Sequence, residues 1–322
     1  MRKIIAFFFI VMNISLIQAQ NYKDFVQKAD SCYRAKEYKL SVGYYEKAFN
    51  IEQKKATDLY NASCSAALLK EDKKAFEWLN LAIDNGYENI TYLQNERDLE
   101  PLHVKKEWEQ AIGKLQKKLD IIEVNYDKPL QKELLAIYVD DQEIRKDFMK
   151  IYKEKGSGHK LVDSIGKIMI YKDSLNLIKI SKILDEKGWV GKDVVGSQAN
   201  QTLFLVIQHG DLKTQQKYLP MMREAVKKGS AKASSLALLE DRIALREGRK
   251  QIYGSQIATN SITKKSFVSP LEDPDNVDKR RAEAGLGPIA DYVKKMDIIW
   301  DVEAYKKELP ELEKISQQKK SK

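Results

Sequence analysis

Between residues 21 and 86 the sequence repeats itself with a period of 34. Phe25, Ala29, Cys32, Ser41, Tyr45 and Ala48 return as Leu59, Ser63, Ala66, Ala75, Leu79 and Ala82. A unit of that length holds two helices and two turns. It cannot bury its apolar face alone, so it must stack on a copy of itself. Small residues at the second, fourth and sixth of these places let helix backbones approach closely, and the larger ones fill between them. The spacing predicts helices near 22–36, 38–53, 56–70 and 72–85, with Gly86 ending the last as a C-cap. Two repeats fall short of the three usually needed for a stable stack. The next segment, with Leu93, Leu99, Leu102 and Trp108, is therefore expected to cap the open end. His103 lies within it and reads as a packing residue.

The repeat positions resemble those of the tetratricopeptide family. The chain departs from that pattern where Lys28-Ala29 and Ala62-Ser63 replace the usual Leu-Gly of the first helix. The resemblance implies a helical-hairpin repeat domain over 20–119 that docks a protein or peptide.

Ahead of the repeats stands a targeting signal. Arg2-Lys3 are followed by an apolar run from Ile4 to Ile17, and Ala19 offers a small residue for cleavage. The run is shorter than the ~20 residues that span a bilayer, so residues 1–19 are read as a removable signal peptide. The protein is then expected to be exported, periplasmic or secreted, with no stable membrane span. Export argues against a nucleic-acid partner despite a net charge of +9, and the lysines are interleaved with acids rather than clustered. Only Lys319-Lys320-Ser321-Lys322 forms a basic cluster. Cys32 and Cys64 form an even pair that an oxidising compartment could bridge. They also read as two small buried helix residues, which predicts free thiols.

Beyond the repeats, a linker is expected at 120–129, ending in Pro129. Helices follow near 130–139, 141–154 and 160–187, the last with a partial apolar stripe of Leu161, Ile165, Ile168 and Leu175. Gly188-Trp189 stops it. The next helix, 198–209, is apolar on nearly every face and must be buried. Gly210 breaks it, Asp211 caps a helix at 212–228 kinked at Pro220, and another covers 232–247. Short β-rich runs around Thr259-Asn260-Ser261 read as a small hairpin. With only 7 Pro and 15 Gly, the fold class is mainly α. It comprises helical-hairpin repeats, then a helical domain with a β-hairpin at 130–300, then a loosely held C-terminal helix and basic tail at 301–322.

Chemistry concentrates between Gly188 and Gln256. Gln208-His209-x-Asp211, Gln215, Asp241-Arg242 and Gln251-x-Tyr253-Gly254-x-Gln256 sit beside apolar runs, with Arg281 further on. Buried charges need partners. Neighbours on a helix do not face each other, so Arg242 is expected to meet Asp211 or the Gln208 carbonyl, and Asp241 to meet Arg280 or Arg281. One reading makes His209 a general base or ligand group oriented by Asp211. Gln208, Gln215, Asp241, Arg242, Gln251, Tyr253, Gln256 and Arg281 then line a ligand site, and the amides and phenol suit a hydroxyl-rich envelope-derived molecule. The other reading makes the same residues a buried polar network that fixes the fold. These motifs resemble an uncharacterised bacterial domain, over about 173–292, found in exported proteins; the resemblance implies no known activity. No Gly-x-Ser-x-Gly elbow, phosphate loop or His-Glu-x-x-His is present, and the three His and two Cys show no zinc-ligand spacing. No metal or cofactor is expected.

Overall fold

A computed structural model describes residues 21–51, 55–260 and 263–318. The proposed signal peptide, residues 1–19, and the basic cluster 319–322 lie outside the described residues. The protein is mainly α with one small antiparallel hairpin, and its chain divides between Val124 and Asn125 into two compact units.

In the first unit α1 covers 21–34. It is followed by α2 Tyr38–Phe49, α3 Ala56–Leu68 and α4 Asp72–Asp84. The period of 34 is written in the backbone. Lys36 and Lys70 adopt positive φ, 61° and 64°. The residues after them, Glu37 and Glu71, share φ −89° and ψ of 61° and 62°. Both amides close the preceding helix, Glu37 N–H on Cys32 O and Glu71 N–H on Ala66 O. Ala29, Ser41, Tyr45, Ala48, Leu59, Ser63, Ala66, Ala75, Leu79 and Ala82 are all fully buried. The buried serines of the repeat are satisfied: Ser41 Oγ meets Ser65 Oγ at 2.9 Å and Ser63 Oγ donates to Ala75 O at 2.8 Å. Leu93 of α5 (Ile90–Asn95), Leu99 and Leu102 of a 3-10 turn, and Trp108 of α6 (Lys106–Ile122) join this core. The His103 ring packs tilted against Trp108, with ring centroids 4.2 Å apart. Cys32 and Cys64 are free thiols.

The second unit opens with α7, Lys128–Lys155. Pro129 does not terminate a linker; it sits in the first turn of α7, where its missing N–H costs nothing. Asp127 caps that turn, accepting from Leu130 N–H at 3.0 Å. The two helices expected at 130–139 and 141–154 are one, because Asp140-Asp141 is no break: Asp141 turns inward and is paired across helices. Next come α8 Lys160–Lys187, α9 Lys192–Val195, α10 Ser197–His209, α11 Leu212–Lys227 and α12 Ala233–Glu247. The α10 helix buries Leu203, Phe204, Val206 and Ile207 against α7, α8, α11 and α12. β1 Ile257–Thr259 pairs with β2 Ser266–Val268. Short helices α13 Val277–Glu283 and α14 Ile289–Lys294 follow, then α15 Val302–Gln318. The last is not loosely held. Tyr305 and Leu312 are buried in a small core with Val268, Leu271, Val277, Ile289 and Val293, and Tyr305 Oη accepts from Leu271 N–H and donates to Ser269 O.

Candidate functional site

The polar residues of the central stretch do not form one site. They separate into a cleft at the end of α10 and a knot around the loop 251–256.

The cleft is about 390 Å³ and lies among α7, α8, α10 and α12. Gln208 and His209 reach it because Gly210 stops α10 there. Gln215, fully buried, holds that stop: its Nε2 donates to Gln208 O at 2.8 Å and Gly210 O at 3.3 Å. The expected role of Asp211 is corrected. Its carboxylate caps α11 by accepting from Thr214 N–H at 2.8 Å and does not orient His209. Asp141 of α7 does, with Oδ1 at 3.2 Å from His209 Nδ1.

Asp141 is only 1% exposed, and a buried carboxylate requires compensation. Arg145, one turn on, bonds Asp141 O at 2.8 Å and lies 3.3 Å from Oδ1. Its other nitrogen grips both oxygens of Asp173 on α8, at 2.8 and 3.0 Å. Gln142 Nε2 donates to Asp141 Oδ2 at 2.7 Å. Burial pushes the Asp141 carboxyl upward, but the His209 hydrogen bond, the charges of His209 and Arg145, and Gln142 outweigh it. The net result lies below the ordinary value of 3.8. Folded Asp141 thus binds its proton less tightly than the unfolded chain. Its stabilisation is present above the ordinary carboxylate range and is lost as pH falls through the folded value. Denaturant melts from about pH 2 to 6 are expected to show wild-type stability falling below about pH 4. That fall should be shallower in Asp141→Asn. An identical acid limb in both proteins would show that the carboxylate does not titrate as a paired group.

Asp141, Asp173 and His209 present ligand atoms within 4.8 Å of one another. The donor types suit a divalent cation, but Arg145 already lies across both carboxylates and supplies the positive charge. We assign no metal there.

Arg242 of α12 also lines the cleft. It meets neither Asp211 nor the Gln208 carbonyl, which Gln215 occupies. Among the described residues no carboxylate lies within ion-pair range of it, and its Nε is buried without a hydrogen-bond partner. Burial and then the charge of Arg246 push its pKa down, with Tyr292 opposing. Arg246 donates to Gly210 O at 2.7 Å. Phe148, Met149 and Met169 supply an apolar wall.

The knot is built differently. Asp241 is fully buried, and its expected ion pair with Arg280 or Arg281 is absent. Its Oδ1 accepts from Ile252 N–H at 2.7 Å and Tyr253 N–H at 2.9 Å, and its Oδ2 from Ser255 N–H at 2.9 Å. Gln251, also fully buried, donates to Ser269 O and Gln256 O and accepts from Gln256 N–H. Arg281 donates to Tyr253 O and Gly287 O, with its guanidinium 5.0 Å over the Tyr292 ring. Gln256 Nε2 is spent on Ser255 Oγ. Gly254 takes φ +66°, and a Cβ there would stand 2.6 Å from Ile289 Cδ1, so the loop needs glycine on two counts. The Tyr253 phenol is raised by burial and then by the charges of Glu240 and Asp241. Asp241, Gln251, Gln256 and Arg281 are thus consumed inside the protein, and Tyr253 does not line the cleft.

The sequence reading missed Asp141 and Arg145. A signal existed: Leu130, Leu134, Ile137 and Ile144 are buried along one face of α7, and Asp141 occupies a core position in that row. An acid in an apolar stripe implies a partner across the interface.

No curated protein and no solved structure matches this chain. Residues 128–305, which hold both the cleft and the knot, match the family of unknown function DUF6624, and the chain belongs to that family.

Proposed function

We propose that the second unit is a ligand-binding module for a small anion with an apolar part. It is carried by an exported protein whose repeat unit docks a protein or peptide. The observation that carries the reading is Arg242, a half-buried guanidinium facing the cleft with no carboxylate within ion-pair range among the described residues. A desolvated charge without a counter-ion is costly, and a bound carboxylate or phosphate would supply two charge-assisted hydrogen bonds. The wall of Phe148, Met149 and Met169 suits an alkyl or aromatic part. The Arg2-Lys3 segment with its apolar run supports export. The 34-residue turn geometry supports reading the first unit as tetratricopeptide-like and therefore as a docking surface. Native mass spectrometry with octanoate and with inorganic phosphate tests the cleft: wild type is expected to hold the anion and Arg242→Met to release it. Failure of both anions to bind wild type would refute the reading.

A second reading, a hydrolase or transferase of an envelope component, is favoured by the Asp141–His209 contact of 3.2 Å. An ionised Asp141 accepts a hydrogen bond from Nδ1–H, which leaves Nε2 free to accept a proton, the arrangement of a general base. Under this reading His209→Gln, whose amide can still donate to Asp141, lowers turnover of a chromogenic ester or phosphoester by ~10²–10⁴ while the variant stays folded. A wild type without turnover, or a variant as active as wild type, discards it.

A further inference from the structure

The apolar stripe read on α8 is not core. Leu161, Ile168 and Leu175 are 52%, 48% and 38% exposed, and Tyr171 and Ile178 beside them 64% and 68%. The buried face of the same helix carries Val162, Ile180, Ile183 and Leu184, so α8 is apolar on two sides. A helix of that kind is normally covered on both.

The outer stripe has a specific period. Positions 161, 168 and 175 are seven apart, and 171 and 178 follow 168 and 175 by three. That is the alternation of a two-helix seam, with Ile170, 67% exposed, lying outside it; the seam extends over roughly 26 Å at 1.5 Å per residue. The places flanking such a seam are 160, 165, 167, 172, 174 and 179. Lys160, Lys167, Lys172 and Lys179 occupy four of them, Ile165 and Ser174 the other two, and none is acidic. Lys172 is bonded to Asp140. Among the described residues no carboxylate lies within ion-pair range of Lys160, Lys167 or Lys179.

We infer that the outer face of α8 docks an acidic amphipathic helix of another protein, with apolar residues at the facing seam and Glu or Asp on its flanks. Flanking charges set partner choice in such pairs. A second copy of this chain would set lysine against lysine in either orientation. The heptad spacing of the seam, with lysines at its flanking places, is the pattern of a helix pair rather than of the broad apolar face with which helices lie in a membrane surface.

The test uses the full chain and synthetic peptides of about four heptads, long enough to be helical when paired. Their seams carry Ile and Leu, and their flanks are either all Glu or all Lys. Fluorescence anisotropy is expected to show binding of the Glu peptide and not of the Lys peptide. Ile168→Gln with Ile178→Gln is expected to weaken binding by about tenfold or more, since burying one aliphatic side chain is worth that much. Both side chains are exposed, so melting should not move. Lys167→Glu with Lys179→Glu is expected to reverse the peptide preference. Equal binding of both peptides, binding of neither, unchanged binding by the Gln variant, or self-association through this face would each overturn the assignment.

Discussion

Asp241→Ala is expected to lower the unfolding free energy by ~3–5 kcal/mol, the range for breaking a buried charged network. The carboxylate is fully buried and is the acceptor for three backbone amides, those of Ile252, Tyr253 and Ser255. Alanine would leave three donors without an acceptor, each costing about 1–3 kcal/mol if the loop stays closed. If the loop opens to water instead, it takes with it the contacts that Arg281 makes to Tyr253 O and Gly287 O and that Tyr292 makes to Ser255 O. Either route is a large fraction of the 5–15 kcal/mol that holds a typical domain. Asp241→Asn should cost less, since its amide oxygen can still accept from Ile252 and Tyr253 N–H while its NH₂ would face the Ser255 N–H. Denaturant melting measures the loss, and amide exchange at 252, 253 and 255 should accelerate first. A change below ~1 kcal/mol, as for a surface position, would show that the loop holds itself.

Much of the fold was legible because it rests on local chemistry. The turns at Lys36 and Lys70 recur because the residues around them recur. Helix ends followed Gly188, Gly210 and Gly248, and the hairpin followed a short run of β-formers on either side of a polar turn. The site was harder because its partners are remote. Asp141 reaches His209 across 68 positions, and nothing in Asp140-Asp141 says which acid turns inward. Asp241 and Arg242 were rightly read as unable to pair with each other. Adjacent side chains leave a helix about 100° apart, so one enters the knot and the other the cleft. The sequence also offers no means of seeing that Asp241 is satisfied by main-chain amides rather than by arginine. The partial apolar stripe of α8 could be seen for its spacing but not for its exposure: periodicity reveals an apolar face but not whether the same molecule covers it.

Arg242→Met is expected to separate binding from stability. Had Arg242 been one half of a buried ion pair, its loss would cost ~3–5 kcal/mol. Among the described residues it has no such partner. Its Nε is buried and unbonded, and its charge is opposed by burial and by Arg246, four residues along the same helix. Like charges at that spacing are mildly destabilising. Methionine keeps most of the stem that packs in the cleft wall and removes the desolvated charge. The unliganded variant should therefore melt within ~1 kcal/mol of wild type or above it. Binding should behave oppositely. A hydrogen bond to a charged group is worth ~1.5–3 kcal/mol, so affinity for octanoate or phosphate should fall about 10- to 100-fold or more. At a ligand concentration near 100 times the wild-type Kd, wild type should gain ~2.7 kcal/mol of stability and the variant only ~0.4–1.4 kcal/mol. Titration calorimetry and melting with and without the anion measure both halves. A variant destabilised by several kcal/mol that still binds the anion would make Arg242 a structural residue and remove the cleft's main claim to a ligand.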